Sequence, residues 1–214
     1  MSSSNPITPA QPLKPRSIKP LIGVLLVCLA PVIFALLAYY VPSLGLRPDG
    51  ESNYGTLIQP QRPVPAASDL SLRTLDGKPF DLHSLHGKWV LLSADQGACP
   101  ESCVRKLFIL RNSHASQGKE VERLTRVWFI TDDAPIPAKI LEAYKGTIIV
   151  RADPKSLAAY LTPKADAANA DVALQKPMWI IDPIGNLMMQ YPDQADPLKV
   201  RGDIKKLLAN SRIG

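Results

Sequence analysis

The longest apolar run in the chain reads LIGVLLVCLAPVIFALLAYYV, from Leu21 to Val41, 21 residues without a charge. A bilayer core asks for about 20 apolar residues at roughly 1.5 Å each, so the run predicts one membrane-spanning helix. A cleaved signal peptide would carry an apolar core of about 7 to 15 residues ahead of a small-x-small site. Here the run is longer and ends at Tyr39-Tyr40-Val41-Pro42. Cys28 follows Val27 rather than a small residue, which speaks against a lipoprotein site, and it reads as an apolar filler. Lys14, Arg16 and Lys19 precede the run, and no Lys or Arg follows it until Arg47. Positive residues stay on the cytoplasmic side. The expected topology is a cytoplasmic N-terminus and an exported remainder, which in a bacterium means a single-pass inner-membrane protein facing the periplasm.

Beyond the span the texture changes twice. Residues 1–20 form a polar tail. Residues 42–67 carry Pro42, Pro48, Pro60, Pro63 and Pro65 with little periodicity and read as a Pro-rich linker. Residues 68–214 read as one folded domain. Asp76-Gly77 marks a hairpin turn between Leu72 and Phe80. Trp89 to Ala94 suits a buried strand, and a helix opens at Cys99-Pro100-Glu101-Ser102-Cys103, with Val104, Leu107, Phe108 and Leu110 as its buried face. Further strands are expected at 126–131, 147–150 and 178–181, the last in a hairpin with 186–190. Helices are expected at 137–144, 154–161 and 197–209. Strands alternating with helices, then a hairpin and a closing helix, imply an α/β sandwich around a mixed sheet.

The formal net charge is +6, but three of those charges are the topology signal and the rest are scattered or sit on the last helix. Nucleic-acid binding is not expected of an exported domain. Chemistry concentrates instead in Cys99 and Cys103. A disulfide across four residues closes too small a loop to add much stability, so the pair points to redox or metal chemistry. A thiol at a helix N-terminus is acidified by the unsatisfied backbone N–H groups, which makes Cys99 the nucleophile. Cys103, one turn later on the same face, is the resolving partner or a second ligand for a soft ion such as Cu(I).

The residues Gly87-Lys88-Trp89-Val90-Leu91-Leu92, Cys-Pro-Glu-Ser-Cys, Thr131-Asp132-Asp133, and Lys176-Pro177-Met178-Trp179-Ile180-Ile181-Asp182-Pro183 with Gly185 resemble the thioredoxin superfamily. Three residues between the cysteines, rather than two, resemble its Sco/SenC branch, membrane-anchored proteins that assist copper-centre assembly in cytochrome c oxidase. The resemblance implies a thioredoxin-like three-layer sandwich over about residues 68–212. It also implies a cis Pro177 facing the cysteines, and a partner that is a copper-site subunit of the oxidase or another copper chaperone. The branch completes its copper site with a histidine before the strand matching Met178–Ile181. Here that stretch reads Ala173-Leu174-Gln175-Lys176-Pro177, so the metal set shrinks to Cys99 and Cys103, and no resident cofactor is expected.

His83 and His86 lie toward the far end of the strand that leads to Cys99, about 20 Å off at 3.3 Å per residue, and His114 lies about 16 Å along the helix. All three read as surface residues. Three functions remain open: thiol–disulfide exchange by a possible oxidoreductase, with Cys99, Cys103 and Pro177 as its site; a Cu(I) metallochaperone using the same pair with Met178; and a non-catalytic assembly scaffold with a static disulfide. Lys176, beside Pro177, is a candidate for stabilising a thiolate. Asp132 and Asp133 read as loop or capping residues, and Trp128 and Trp179 as core.

Overall fold

In a computed structural model, which describes residues 17–41, 53–165 and 167–214, the apolar run is helix α1, Lys19–Tyr40. None of its residues is buried, and it is long and apolar enough to cross a membrane. The chain divides into two units, Met1–Glu51 and Ser52–Gly214, and α1 belongs to the first.

The second unit is built on eight strands: β1 Thr56–Pro63, β2 Leu72–Thr74, β3 Pro79–Phe80, β4 Trp89–Asp95, β5 Leu124–Ile130, β6 Ile148–Ala152, β7 Met178–Ile181 and β8 Asn186–Tyr191. They form one sheet in the order β1-β8-β7-β4-β5-β6-β2-β3. The neighbours β4, β5 and β6 run parallel, and every other pairing is antiparallel. The helices are α2 Glu101–Ala115, α3 Ala138–Ala143, α4 Pro154–Leu161, α5 Ala170–Gln175 and α6 Pro197–Asn210. Leu157, Leu161 and Leu174, from α4 and α5, pack with Val90, Leu92, Val127 and Trp179 on one face of the sheet. Leu107, Ile140 and Ile204, from α2, α3 and α6, pack with Leu91, Trp128 and Ile180 on the other. Strand side chains alternate between faces, which is why β4, buried throughout, and β5, buried except at the half-buried Thr125, feed both cores. The result is a three-layer sandwich with a mixed central sheet.

The linker expected over 42–67 differs from the structure in its second half. Thr56–Pro63 is the edge strand β1, paired to β8 with an irregular register between Leu57 and Arg62. Its entry is fixed by Asp203 of α6, a buried carboxylate that accepts from the backbone N–H groups of Tyr54 and Gly55, both at 2.8 Å. Residues 42–52 lie outside the described set. The expected helix at 154–161 and strand at 178–181 match α4 and β7 residue for residue. Pro154 and the Asp153 side chain, which accepts from Ser156 N–H at 2.8 Å, start α4 as a proline and a cap should. Helix α2 differs in its face: Phe108 points outward and Val104 is half-buried, while Cys103, Lys106, Leu107 and Leu110 form the inward stripe.

His114, at the end of α2, is half-buried rather than on the surface. Burial and then the Arg126 charge push it below the ordinary histidine value. The unfolded chain therefore takes up this proton first, and stability falls as pH drops below about 6.5. His114→Gln is expected to flatten that decline in urea unfolding at pH 7 and pH 5. An unchanged pH profile would exclude His114 as its source.

Candidate functional site

Strand β4 delivers the chain to the C-terminal edge of the parallel strands, where open α/β sheets place their chemistry. Three residues separate the strand end at Asp95 from Cys99, and α2 begins at Glu101 with Pro100 as its N-cap. The helix thus starts two residues later than Cys99, and Cys99 stands just ahead of it. Its backbone lies in the left-handed region at φ 49°, sparsely populated by side chains other than Gly, Asn and Asp. The Cys99 N–H donates to Gln96 O at 3.0 Å. Cys99 and Cys103 are joined in a disulfide with Cα atoms 5.0 Å apart. Both cysteines are buried, Cys99 at 7% and Cys103 at 1% exposure, so Cys99 is the less enclosed of the two.

Two contacts hold the loop. Asp132, which follows β5, accepts at Oδ1 from Gly97 N–H at 2.8 Å and from Ala134 N–H at 3.3 Å. Arg151 of β6 donates to the carbonyls of Asp132 and Ala134. Asp132 is therefore the loop residue expected, and it locks the cysteine loop to the neighbouring one. The approach is close: a Cβ on Gly97 would sit 2.4 Å from Ala134 O. Gly97→Ala is expected to destabilise the domain by about 1–3 kcal/mol, as overpacking does, read as a lowered unfolding midpoint. An unchanged midpoint would show that the two loops separate freely.

Lys106, one turn beyond Cys103 on the inward stripe of α2, is a charged residue at a core position. Its ammonium lies 2.9 Å from Asp95 Oδ2, with 8% and 0% of the two side chains exposed. It donates to Ala94 O at 2.7 Å and to Gln175 O. Asp95 Oδ1 accepts from Gln96 N–H at 2.9 Å, Oδ2 faces the Lys106 ammonium, and the Ser93 hydroxyl, two residues earlier on β4, has no partner. Burial pushes the ammonium below the ordinary lysine value, and Asp95 draws it back up. Sequence reading passed over this pair; the signal was a lysine in register with Cys103, Leu107 and Leu110 on one helical stripe.

Pro177 is buried and directly precedes β7, whose Met178 shares an apolar cluster with both cysteines. The resemblance implied a cis bond here. The Lys176–Pro177 bond is trans, and the cis X–Pro bond of the described residues is Gln59–Pro60. Lys176 is exposed on a cleft of about 410 Å³ that Glu101, Arg105, Lys106, Met178 and Asp193 also line. His83 sits in a short helical turn, its Nδ1 2.8 Å from Asp81 Oδ1 and its ring 5.2 Å from that of His86. Among the described residues, no group of three or more His, Cys, Asp or Glu side chains is placed to hold a metal.

The sequence profile of the family described as "Transmembrane-like, thioredoxin-like, C-terminal domain" matches residues 89–211, more than half of the chain. The chain belongs to this family. The fold of this thioredoxin-like domain is shared with BsSco, a member of the Sco family of cytochrome c oxidase assembly proteins, at 17% identity and a TM-score of 0.51, over 71% of this chain and 96% of that one. Yeast Sco1 with copper bound is similar at 16% identity and a TM-score of 0.50, over 76% and 96%. A thiol:disulfide interchange protein from Bacteroides sp. is similar at 15% identity and a TM-score of 0.50, over 71% and 91%. At such identities the likeness is one of fold. No curated protein matches the thioredoxin-like chain in sequence.

Proposed function

We propose that this protein is a membrane-anchored thiol–disulfide exchange protein whose working pair is Cys99 and Cys103. The observation that carries the reading is the pair's position: a disulfide across one helical turn, at the strand–helix junction of a thioredoxin-like sheet, with Cys99 the less enclosed of the two. In the reduced protein the Cys99 thiolate attacks one sulfur of a client disulfide. The client's bond breaks and the other client sulfur leaves as a thiolate. Cys103 then attacks Cys99 in the mixed disulfide, closing Cys99–Cys103 and releasing the second client sulfur. The client gains two electrons and the pair loses two. Pro177, at the start of β7, is assigned to the wall against which the client chain is held.

The Sco-like fold suggests the client: a cysteine-bearing copper-site subunit of cytochrome c oxidase, or another copper chaperone. BsSco, of this fold, is described as having a disulfide switch. Lys14, Arg16 and Lys19 ahead of α1 support a cytoplasmic N-terminus, with residues 1–20 as tail, the anchor at about 21–41, and the domain in the periplasm of a bacterial inner membrane. Met178, buried in the same apolar cluster as the two cysteines, favours a second reading in which the reduced pair carries Cu(I) as cargo.

One experiment separates these. The detergent-solubilised full chain is equilibrated in glutathione redox buffers, then reduced and challenged with Cu(I) against a chelator. Reversible exchange with no copper retained supports the first reading. One-to-one copper retention supports the second. A disulfide that resists both glutathione and dithiothreitol overturns both in favour of a scaffold.

A further inference from the structure

Among the described residues, the buried cationic side chains are Lys106 and Arg126, and Lys106 stands three residues beyond Cys103 on the same buried stripe. Residues at that spacing have Cβ atoms about 5–6 Å apart. We propose that the buried Lys106–Asp95 pair sets the acidity of the Cys103 thiol, with Lys106 favouring the thiolate and Asp95 opposing it. This rests on the exchange reading above and names the residues that tune it. When a small thiolate RS⁻ opens the disulfide at Cys99, an RS–Cys99 bond forms and the Cys99–Cys103 bond breaks. The electron pair leaves on Cys103 Sγ. A second RS⁻ then attacks the R sulfur, releasing the Cys99 thiolate and RSSR. Charge thus appears on the side chain of a residue that is 1% exposed, within an apolar cluster. Burial alone would make that thiolate costly.

The pair answers this with charge already in place. The ammonium lies 2.9 Å from Asp95 Oδ2, a buried ion pair beside the helix that carries Cys103. Its directed hydrogen bonds go to Ala94 O and Gln175 O, which pin it between the end of β4 and the end of α5. The other charges near the stripe lie on the exposed cleft: Glu101 and Arg105 of α2, Lys176 after α5, and Asp193 after β8. Of these, Asp193 adds to the attraction felt by Lys106. β7 contributes Met178, which carries no charge, and β4 contributes the uncharged Ser93. On the inward stripe of α2 and along β4, the opposed charges are therefore Lys106 and Asp95.

The test is the sign of two shifts. In the full chain reduced with excess dithiothreitol, the Cys103 pKa is read from pH-dependent alkylation, with the modified peptide assigned by mass spectrometry. The rate at which dithiothreitol opens the oxidised disulfide is read alongside it. Lys106→Met should raise the Cys103 pKa by about one unit or more and slow opening about tenfold. Asp95→Asn should lower the pKa and speed opening, because a more acidic thiol leaves faster. Shifts of the same sign, or none, overturn the assignment, since a merely structural loosening would move both variants alike. Should either variant fail to fold, the wild type decides: a Cys103 pKa at or below the ordinary value of about 8.5 supports the proposal, and a higher one overturns it. Wild-type protein that never exchanges with glutathione overturns the exchange reading, while the thiol titration still reports on the pair.

Discussion

Cys99→Ser is expected to reduce exchange with glutathione or a model protein disulfide to the buffer background. Cys103→Ser is expected to leave the first attack intact and trap a mixed disulfide. The asymmetry follows from position. Cys99 sits ahead of α2 in a left-handed turn and is the less enclosed of the two, whereas Cys103 lies on the inward stripe of the helix. The serine that replaces Cys103 cannot resolve the bond that Cys99 forms. On a non-reducing gel of membranes expressing Cys103→Ser, a band at the summed mass of the protein and a client should appear and collapse with dithiothreitol. Equal and complete loss of reaction in both variants, with no trapped species, would show that Cys99 is not the attacking sulfur.

The second large effect is on stability. Lys106→Met removes one partner of an ion pair whose carboxylate is wholly buried, and also removes the donor to Ala94 O and Gln175 O. Breaking such a pair typically costs about 3–5 kcal/mol, because the remaining charge is left in a medium that cannot solvate it. Against a whole-domain stability of about 5–15 kcal/mol, the variant should still fold at 25 °C but unfold at clearly lower urea. The double variant Lys106→Met/Asp95→Leu removes both charges and should recover much of the loss. If the two single losses simply add in the double variant, the residues do not act as a pair.

Much of the fold could be read from the chain because its central elements carry continuous or periodic apolar patterns. Trp89 to Ala94 and Met178 to Ile181 are runs with no polar residue but Ser93, as strands buried on both faces must be. Asp153-Pro154 and Asp196-Pro197 are cap and first-turn signals, and α4 and α6 begin there. The cysteine site was legible for the same reason: Pro100 and Glu101 after an apolar strand mark a helix start. Strand β1 was hidden because Pro60, Gln59 and Arg62 interrupt any alternation, and proline is tolerated in strands only at sheet edges. Helix α5 was hidden by being six residues long. The Lys106–Asp95 pair was hidden because a lysine in a helix ordinarily reads as solvent-facing, and only the register with Cys103 places it inside. The trans state of Pro177 depends on packing, which spacing does not encode.

Strand β1 also decides how the domain can be cut. It covers one whole side of β8, and Asp203, with Tyr54 and Gly55, holds its entry. A fragment begun at residue 68, the apparent start of the folded texture, would strip that cover. The ladder groups of β8, from Asn186 to Tyr191, would then face water unpaired, beside the buried Met189 and Tyr191. A bare edge of this kind is a template for the β8 of a second copy. Such a fragment would therefore tend to self-associate through its sheets, and insolubility of a short version would reflect this missing border rather than a failure of the redox site.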